Sequence, residues 1–149
     1  MRILVAIDGT DCSDQALDFV SGRRWGEEDE FLILCVAEPA PGVFQDDEEE
    51  AQCSSEMLKD CGVIAERGLK RLKRKLTSRS LPRMSTQVVC GSPAESIVEQ
   101  AASWPADLIV LGSHGHSGCR RFMVGSVAET VLKQAPCSVQ VVRVQEVEK

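Results

Sequence analysis

Short runs in which every residue is apolar recur along this chain. Ile3 to Ile7, Phe31 to Ala37 and Leu108 to Leu111 contain no polar position at all. A strand with one wet face alternates polar with apolar residues, whereas one covered on both faces does not. Between these runs the apolar residues recur at steps of three and four: Ala16, Leu17 and Val20; Leu58, Cys61, Ala65, Leu69, Leu72 and Leu76; Ile97, Val98, Ala101 and Ala102. That spacing makes one face of a helix. Doubly buried strands alternating with amphipathic helices fit one architecture, a parallel sheet with helices on both faces, so the expected class is α/β, doubly wound and Rossmann-like.

The pattern predicts strands at Arg2–Ile7, Phe31–Ala37, Thr86–Cys90, Leu108–Leu111 and Ser138–Val144, and a final helix at Ser126–Gln134. The first helix is expected to take Asp11 or Ser13 as its N-cap, with Gly22 and Gly26 ending the pattern. Ser92, Pro93 and Glu95 read as a capping box with proline at the first helical position. The five acids Asp46 to Glu50 precede the longest helix, and Lys70, Arg71, Lys73, Arg74 and Lys75 end it, an order that complements a helix dipole. Gly62 and Gly68 weaken that helix. Its basic cluster reads first as a solvated face, with docking of an acidic partner as the functional alternative.

A chain of 149 residues suffices for one core, so a single domain over 1–149 is expected, with no need of disulfide or metal. The net charge of −6 argues against nucleic acid, whose phosphates require a basic footprint. The longest apolar run is far short of a membrane span. Only Ile3 to Ile7 follow Arg2 before Asp8 intervenes, too short for a secretory leader, so a cytoplasmic location is expected. The seven cysteines lack C-x-x-C spacing and read as reduced thiols, Cys35 and Cys90 as small strand hydrophobes and Cys119 as a loop thiol.

In doubly wound sheets ligands sit beyond the carboxyl ends of the strands, where the winding reverses. That directs attention to Asp8–Asp11, Val36–Pro39 and Gly112–Ser126. The last holds Gly112 and Gly115, then nine residues, then Gly125-Ser126 opening a helix. Glycines let backbone N–H groups close on phosphate oxygens, and a helix N-terminus adds free donors and a positive dipole end. Neither a dinucleotide fingerprint nor a Walker loop matches, since Gly112, Gly115 and Gly118 have the wrong spacing and no lysine follows. The residues alone leave two readings open: a phosphate loop, or simple turns with Ser126 and Glu129 as a capping box.

Gly112 to Val131, together with Val5-Ala6-Ile7-Asp8-Gly9, Gly91-Ser92-Pro93-Ala94-Glu95, Asp107-Leu108-Ile109-Val110 and Ala135-Pro136-Cys137-Ser138-Val139, resembles the universal stress protein family. The glycine spacing resembles that of its ATP-binding members. The resemblance implies phosphate contacts at Gly112, Gly115, Gly125 and Ser126, a ribose contact at Asp8, and adenine against the Val36 backbone. It also implies strand order 3-2-1-4-5 and a homodimer through the last strand. The valines at 139, 141, 142 and 144 support that dimer independently, because they would leave an apolar sheet edge open. His116 departs from the arginine many members carry, and Cys119 from a common apolar residue.

The implied function is an ATP-binding regulatory protein of the stress response, a nucleotide-dependent homodimeric switch whose downstream partner the sequence does not name. The alternatives are a slow ATP hydrolase or phosphotransferase, and a dimerisation module without nucleotide. No catalytic residue is assigned, because His114 and His116 have no orienting partner visible in the sequence. An H-x-H without a third ligand assigns no metal site, and magnesium or manganese would be held by the nucleotide's phosphates. Arg120 and Arg121 either neutralise phosphate or are solvated.

Overall fold

The computed structural model describes residues 1–39, 53–76, 81–114 and 124–143. Five strands, β1 (Arg2–Ile7), β2 (Glu30–Ala37), β3 (Arg83–Cys90), β4 (Leu108–Gly112) and β5 (Ser138–Val142), alternate with four helices, α1 (Asp11–Ser21), α2 (Ser55–Lys75), α3 (Pro93–Ser103) and α4 (Ser126–Gln134). All neighbouring strands pair in parallel, in the order β3-β2-β1-β4-β5. The expected class, strand order and helix placement are therefore those observed.

Strand pleating divides the core into two layers. Ile3, Val5, Ile7, Phe31 and Ile33 face Ala16, Leu17 and Val20 of α1 and Leu72 of α2. Leu4, Ala6, Leu32, Leu34, Ile109 and Leu111 face Ala94, Ile97 and Ala101 of α3 and Ala128 and Val131 of α4. This two-sided burial is why these strands show no polar alternation.

The helix starts differ from expectation in detail. The N-cap of α1 is Thr10, whose hydroxyl accepts from the Ser13 N–H at 3.4 Å, not Asp11 or Ser13. Ser92 caps α3 by position, with Pro93 behind it, but its hydroxyl makes no capping bond, so the predicted box does not form. Helix α2 begins at Ser55, behind an N-cap hydroxyl on Ser54, and Leu58 is exposed rather than inward. The acids at 46–50 lie outside the described residues. Gly68 has a packing reason: a Cβ there would stand 2.5 Å from Ile7 Cδ1, so the glycine lets α2 settle on β1.

The expectation of reduced thiols throughout is overturned. Cys53, just before α2, and Cys90, ending β3, form a disulfide, and Cys90 is exposed rather than a core hydrophobe. The two are 37 residues apart, and nothing in their local sequence marks them as a pair. The fold brings them together by laying the start of α2 over the end of β3. Cys35 is buried as expected; burial and a hydrogen bond with Cys61 push its thiol pKa well up. Cys119 lies outside the described residues.

Candidate functional site

The carboxyl ends of β1, β2 and β4 lie side by side, because Ile7 pairs with Cys35 and Ala6 with Leu111. Asp8 and Val36 are each one residue beyond that first pair, and Gly112 one residue beyond Leu111. Gly125 and Ser126 reach the same end through the start of α4. Five of the six predicted site residues thus lie at the carboxyl end of the sheet, where a doubly wound fold is expected to form its crevice. Gly115 lies outside the described residues.

Asp8 is held by its own turn. Its Oδ1 accepts from the Thr10 N–H at 3.0 Å, from the Thr10 hydroxyl at 2.5 Å and from the Ser13 hydroxyl at 2.5 Å. The Asp8 N–H in turn donates to Ser13 Oγ at 2.8 Å. Such local bonds are what aspartate and hydroxyl side chains supply at turns. The turn also needs Gly9, whose φ of +83° is a conformation that L side chains rarely adopt. Among the described residues all three accepted bonds fall on Oδ1.

Gly112 allows β4 to approach α1. A Cβ there would be 2.9 Å from both Cβ and the carbonyl oxygen of Cys12. Next to it, buried Ser113 ties three elements: its N–H donates to the Val142 carbonyl of β5 at 3.0 Å, its carbonyl accepts from the Gly125 N–H at 2.6 Å, and its hydroxyl lies 3.0 Å from His114 Nδ1. A Cβ on Gly125 would stand 2.6 Å from that same Ser113 carbonyl. Sequence reasoning missed Thr10, Ser13 and Ser113; the first two were legible as hydroxyls spaced two and five residues after an aspartate, the third was not.

Helix α4 starts at Ser126 with Gly125 as N-cap and no side-chain capping bond. The capping-box alternative for Ser126 and Glu129 is therefore wrong: Ser126 stands one position too late, and Glu129 bonds to Lys133 instead, at 3.0 Å. Among the described residues no side chain caps this start, and with the Gly125 N–H already satisfied the next donors of the first turn, starting at Ser126, have no intrahelical partner. The Ser126 residue is exposed. An uncapped helix start beside a carboxylate turn can take an anion and a hydroxyl donor from one ligand.

A separate groove of about 650 Å³ runs between α1 and α2, lined in part by Gly9, Ser13, Arg67, Lys70 and Arg74. It borders the Asp8 turn but excludes Gly112, Gly125 and Ser126, and it lacks the free helix start, so the crevice and not the groove is the candidate site. On the groove's rim Arg71 holds Asp18 through two bonds of 2.8 and 2.9 Å, and Lys75 adds a third contact at 2.7 Å. Arg71 accordingly keeps the Asp18 carboxyl below its usual range. Among the described residues no group of three or more His, Cys, Asp or Glu is placed to hold a metal, and no helix is long and apolar enough to cross a membrane.

The family model for universal stress proteins matches residues 1–143. The chain belongs to the universal stress protein family. A universal stress protein of Methanocaldococcus jannaschii is 35% identical over 142 residues, covering 95% of this chain and 81% of that one. Among solved structures, a universal stress protein in complex with cAMP superposes with a TM-score of 0.68 at 22% identity, covering 96% of each chain. A second, from Archaeoglobus fulgidus in complex with dAMP, has a TM-score of 0.62 at 19% identity, covering 95% of this chain and 96% of that one. Adenine nucleotides are thus bound by relatives of this universal stress protein that share its sheet and helix order.

Proposed function

We propose that this universal stress protein is an ATP-binding regulatory protein, a homodimer whose state depends on the nucleotide in the crevice. The observation that carries the reading is the start of α4, which has no side-chain cap and shares one end of the sheet with Asp8. The phosphates meet the N–H groups and hydroxyl at the start of α4, at Ser126. Gly112 and Gly125 act by their missing side chains: the first lets the end of β4 approach α1, the second lets the start of α4 close on Ser113. Asp8 Oδ2 accepts from ribose hydroxyls, and adenine lies on the half-buried Val36 backbone. Magnesium or manganese is held through the phosphates. The nucleotide complexes of its structural relatives support the ligand class.

The open side of β5 supports the dimer. Among the described residues it is an edge strand, pairing with β4 alone.

The test is titration calorimetry with ATP on wild type, Ser126→Ala and Asp8→Ala, with mass spectrometry of any ligand that co-purifies. Each substitution removes hydrogen bonds to a charged partner, at about 1.5–3 kcal/mol, or at least tenfold in affinity. Ser126→Ala keeps the wild-type melting temperature, because Ser126 is exposed and Gly125, not Ser126, is the N-cap. Undiminished ATP affinity in Ser126→Ala overturns the phosphate assignment. Turnover of ATP with magnesium would replace a binder by a hydrolase.

A further inference from the structure

Four cysteines gather at the carboxyl end of β2 and β3 beneath the start of α2, and they fall into two unlike pairs. Cys35 and Cys61 are free thiols, and Cys35 is 1% exposed. Cys53 and Cys90 are joined by a disulfide whose Cys90 end is exposed and whose Cys53 end is half-buried. Exposure decides which pair a small thiol can reach.

The surroundings of the bonded pair also suit its reduced form. Cys53 Sγ lies 3.2 Å from the carbonyl oxygen of Ala37. A disulfide sulfur has no hydrogen to donate, so in the oxidised state this is contact only. On reduction the Cys53 thiol gains a hydrogen with an acceptor already beside it. That carbonyl takes one bond from the Gly91 N–H at 2.9 Å, and its second lone pair is left for the thiol.

Neither joined element depends on the bond for its place. Cys90 is fixed by the β2–β3 ladder, paired with Ala37, and α2 by Gly68 on Ile7 and by fully buried Leu72. A domain of this size has core enough to fold without a cross-link.

We infer that Cys53 and Cys90 are a reversible thiol–disulfide exchange site, opened and closed by a low-molecular-weight thiol and its disulfide. A thiolate attacks the exposed Cys90 sulfur, breaks the Cys53–Cys90 bond and forms a mixed disulfide on Cys90. The Cys53 thiolate leaves, takes a proton from water and, as a thiol, donates a hydrogen bond to the Ala37 carbonyl. A second thiolate then attacks the small-molecule sulfur, releasing Cys90 and a free small disulfide. Two small thiols are oxidised and one protein disulfide is reduced; the reverse sequence closes the tie. Reduction unties the residue before the N-cap of α2 from the end of β3, next to Val36, while helix and sheet stay in place. The site is independent of the nucleotide reading, since the exchange needs no ligand in the crevice.

The test is redox titration of the wild-type protein in glutathione buffers, quenched by acid, alkylated and peptide-mapped. Reduced and oxidised forms of the 53–90 pair should interconvert, with a tenfold change in the buffer ratio [GSH]²/[GSSG] giving a tenfold change in the dithiol-to-disulfide ratio. Far-ultraviolet circular dichroism should be the same at both ends. Cys61→Ser should leave the curve in place, and Cys53→Ser should collect a glutathione adduct on Cys90. A pair that stays wholly reduced, or wholly oxidised, across all buffers overturns the inference, as does mapping of the disulfide to other cysteines. The wild-type curve decides the matter even where a variant misfolds.

Discussion

Two glycines inside α2 make the sharpest test of how that helix meets the sheet. Gly62 and Gly68 both look like the same defect, each costing about 1 kcal/mol against alanine in a helix interior. A methyl group placed on Gly62 would have nothing within 4 Å, so Gly62→Ala should recover that amount and raise Tm by about 2–4 °C. Gly68→Ala instead puts a methyl 2.5 Å from Ile7 Cδ1 and 3.4 Å from Leu17 Cδ1. Ile7 is itself buried, so its end methyl must leave its rotamer inside a filled core, at about 1–3 kcal/mol. The helix gain offsets part of this. Gly68→Ala should therefore be neutral to about 2 kcal/mol destabilising, and about 1–3 kcal/mol less stable than Gly62→Ala. Ile7→Val removes the obstructing carbon at a cost of about 0.5–1.5 kcal/mol. In that background Gly68→Ala should recover the helix gain, for a coupling of at least about 1 kcal/mol in a double-mutant cycle by urea unfolding. If Gly68→Ala stabilises as much as Gly62→Ala, or the two sites do not couple, the close approach of α2 to β1 is wrong.

Asp18 is held ionised by Arg71 in the fold, so its stabilising effect is full above its unfolded pKa, near pH 4, and is lost as pH falls through its lowered folded value. Asp18→Asn should flatten the acid limb of stability below about pH 4 while changing its shape little above pH 5; an unchanged acid limb removes the ion pair from the account. At the sheet edge, the Ser113 N–H bond to the Val142 carbonyl sets the phase of the β4–β5 ladder, and by alternation along β5 the Val141 N–H points to the open side. Val141→Pro should therefore leave β4–β5 pairing in place yet convert the proposed dimer to monomer by light scattering at tens of micromolar protein; a variant that remains dimeric excludes pairing through β5.

The sheet was legible because each strand is covered on both sides: Ile3 to Ile7 and Phe31 to Ala37 offer no second way of being buried. The site positions followed from the same logic, since topology alone carries Asp8, Val36 and Gly112 to one end. What failed were features set by distance in sequence. Cys53 and Cys90 pair only because α2 lies over β3, and their spacing carries no trace of that. Gly68 reads as a flaw until Ile7 is seen beneath it. The N-cap of α1 failed for a local reason: Thr10, Asp11 and Ser13 are all competent caps, and the bonds from Thr10 and Ser13 to Asp8 decide among them.

The position of β1 at the centre of the sheet also has a meaning in time. It is made before both of its neighbours, and β2 follows within one short helix, but its other neighbour is β4. About 100 residues separate the end of β1 from the end of β4, roughly 5–20 s of synthesis at ~5–20 residues per second. Throughout that interval one side of a strand made of Ile, Leu, Val and Ala has no ladder partner, the state in which sheets recruit foreign strands. A chain stalled short of Leu108 is therefore a client for a chaperone, and the crevice comes into being late, when Gly112 reaches the first turn of α1.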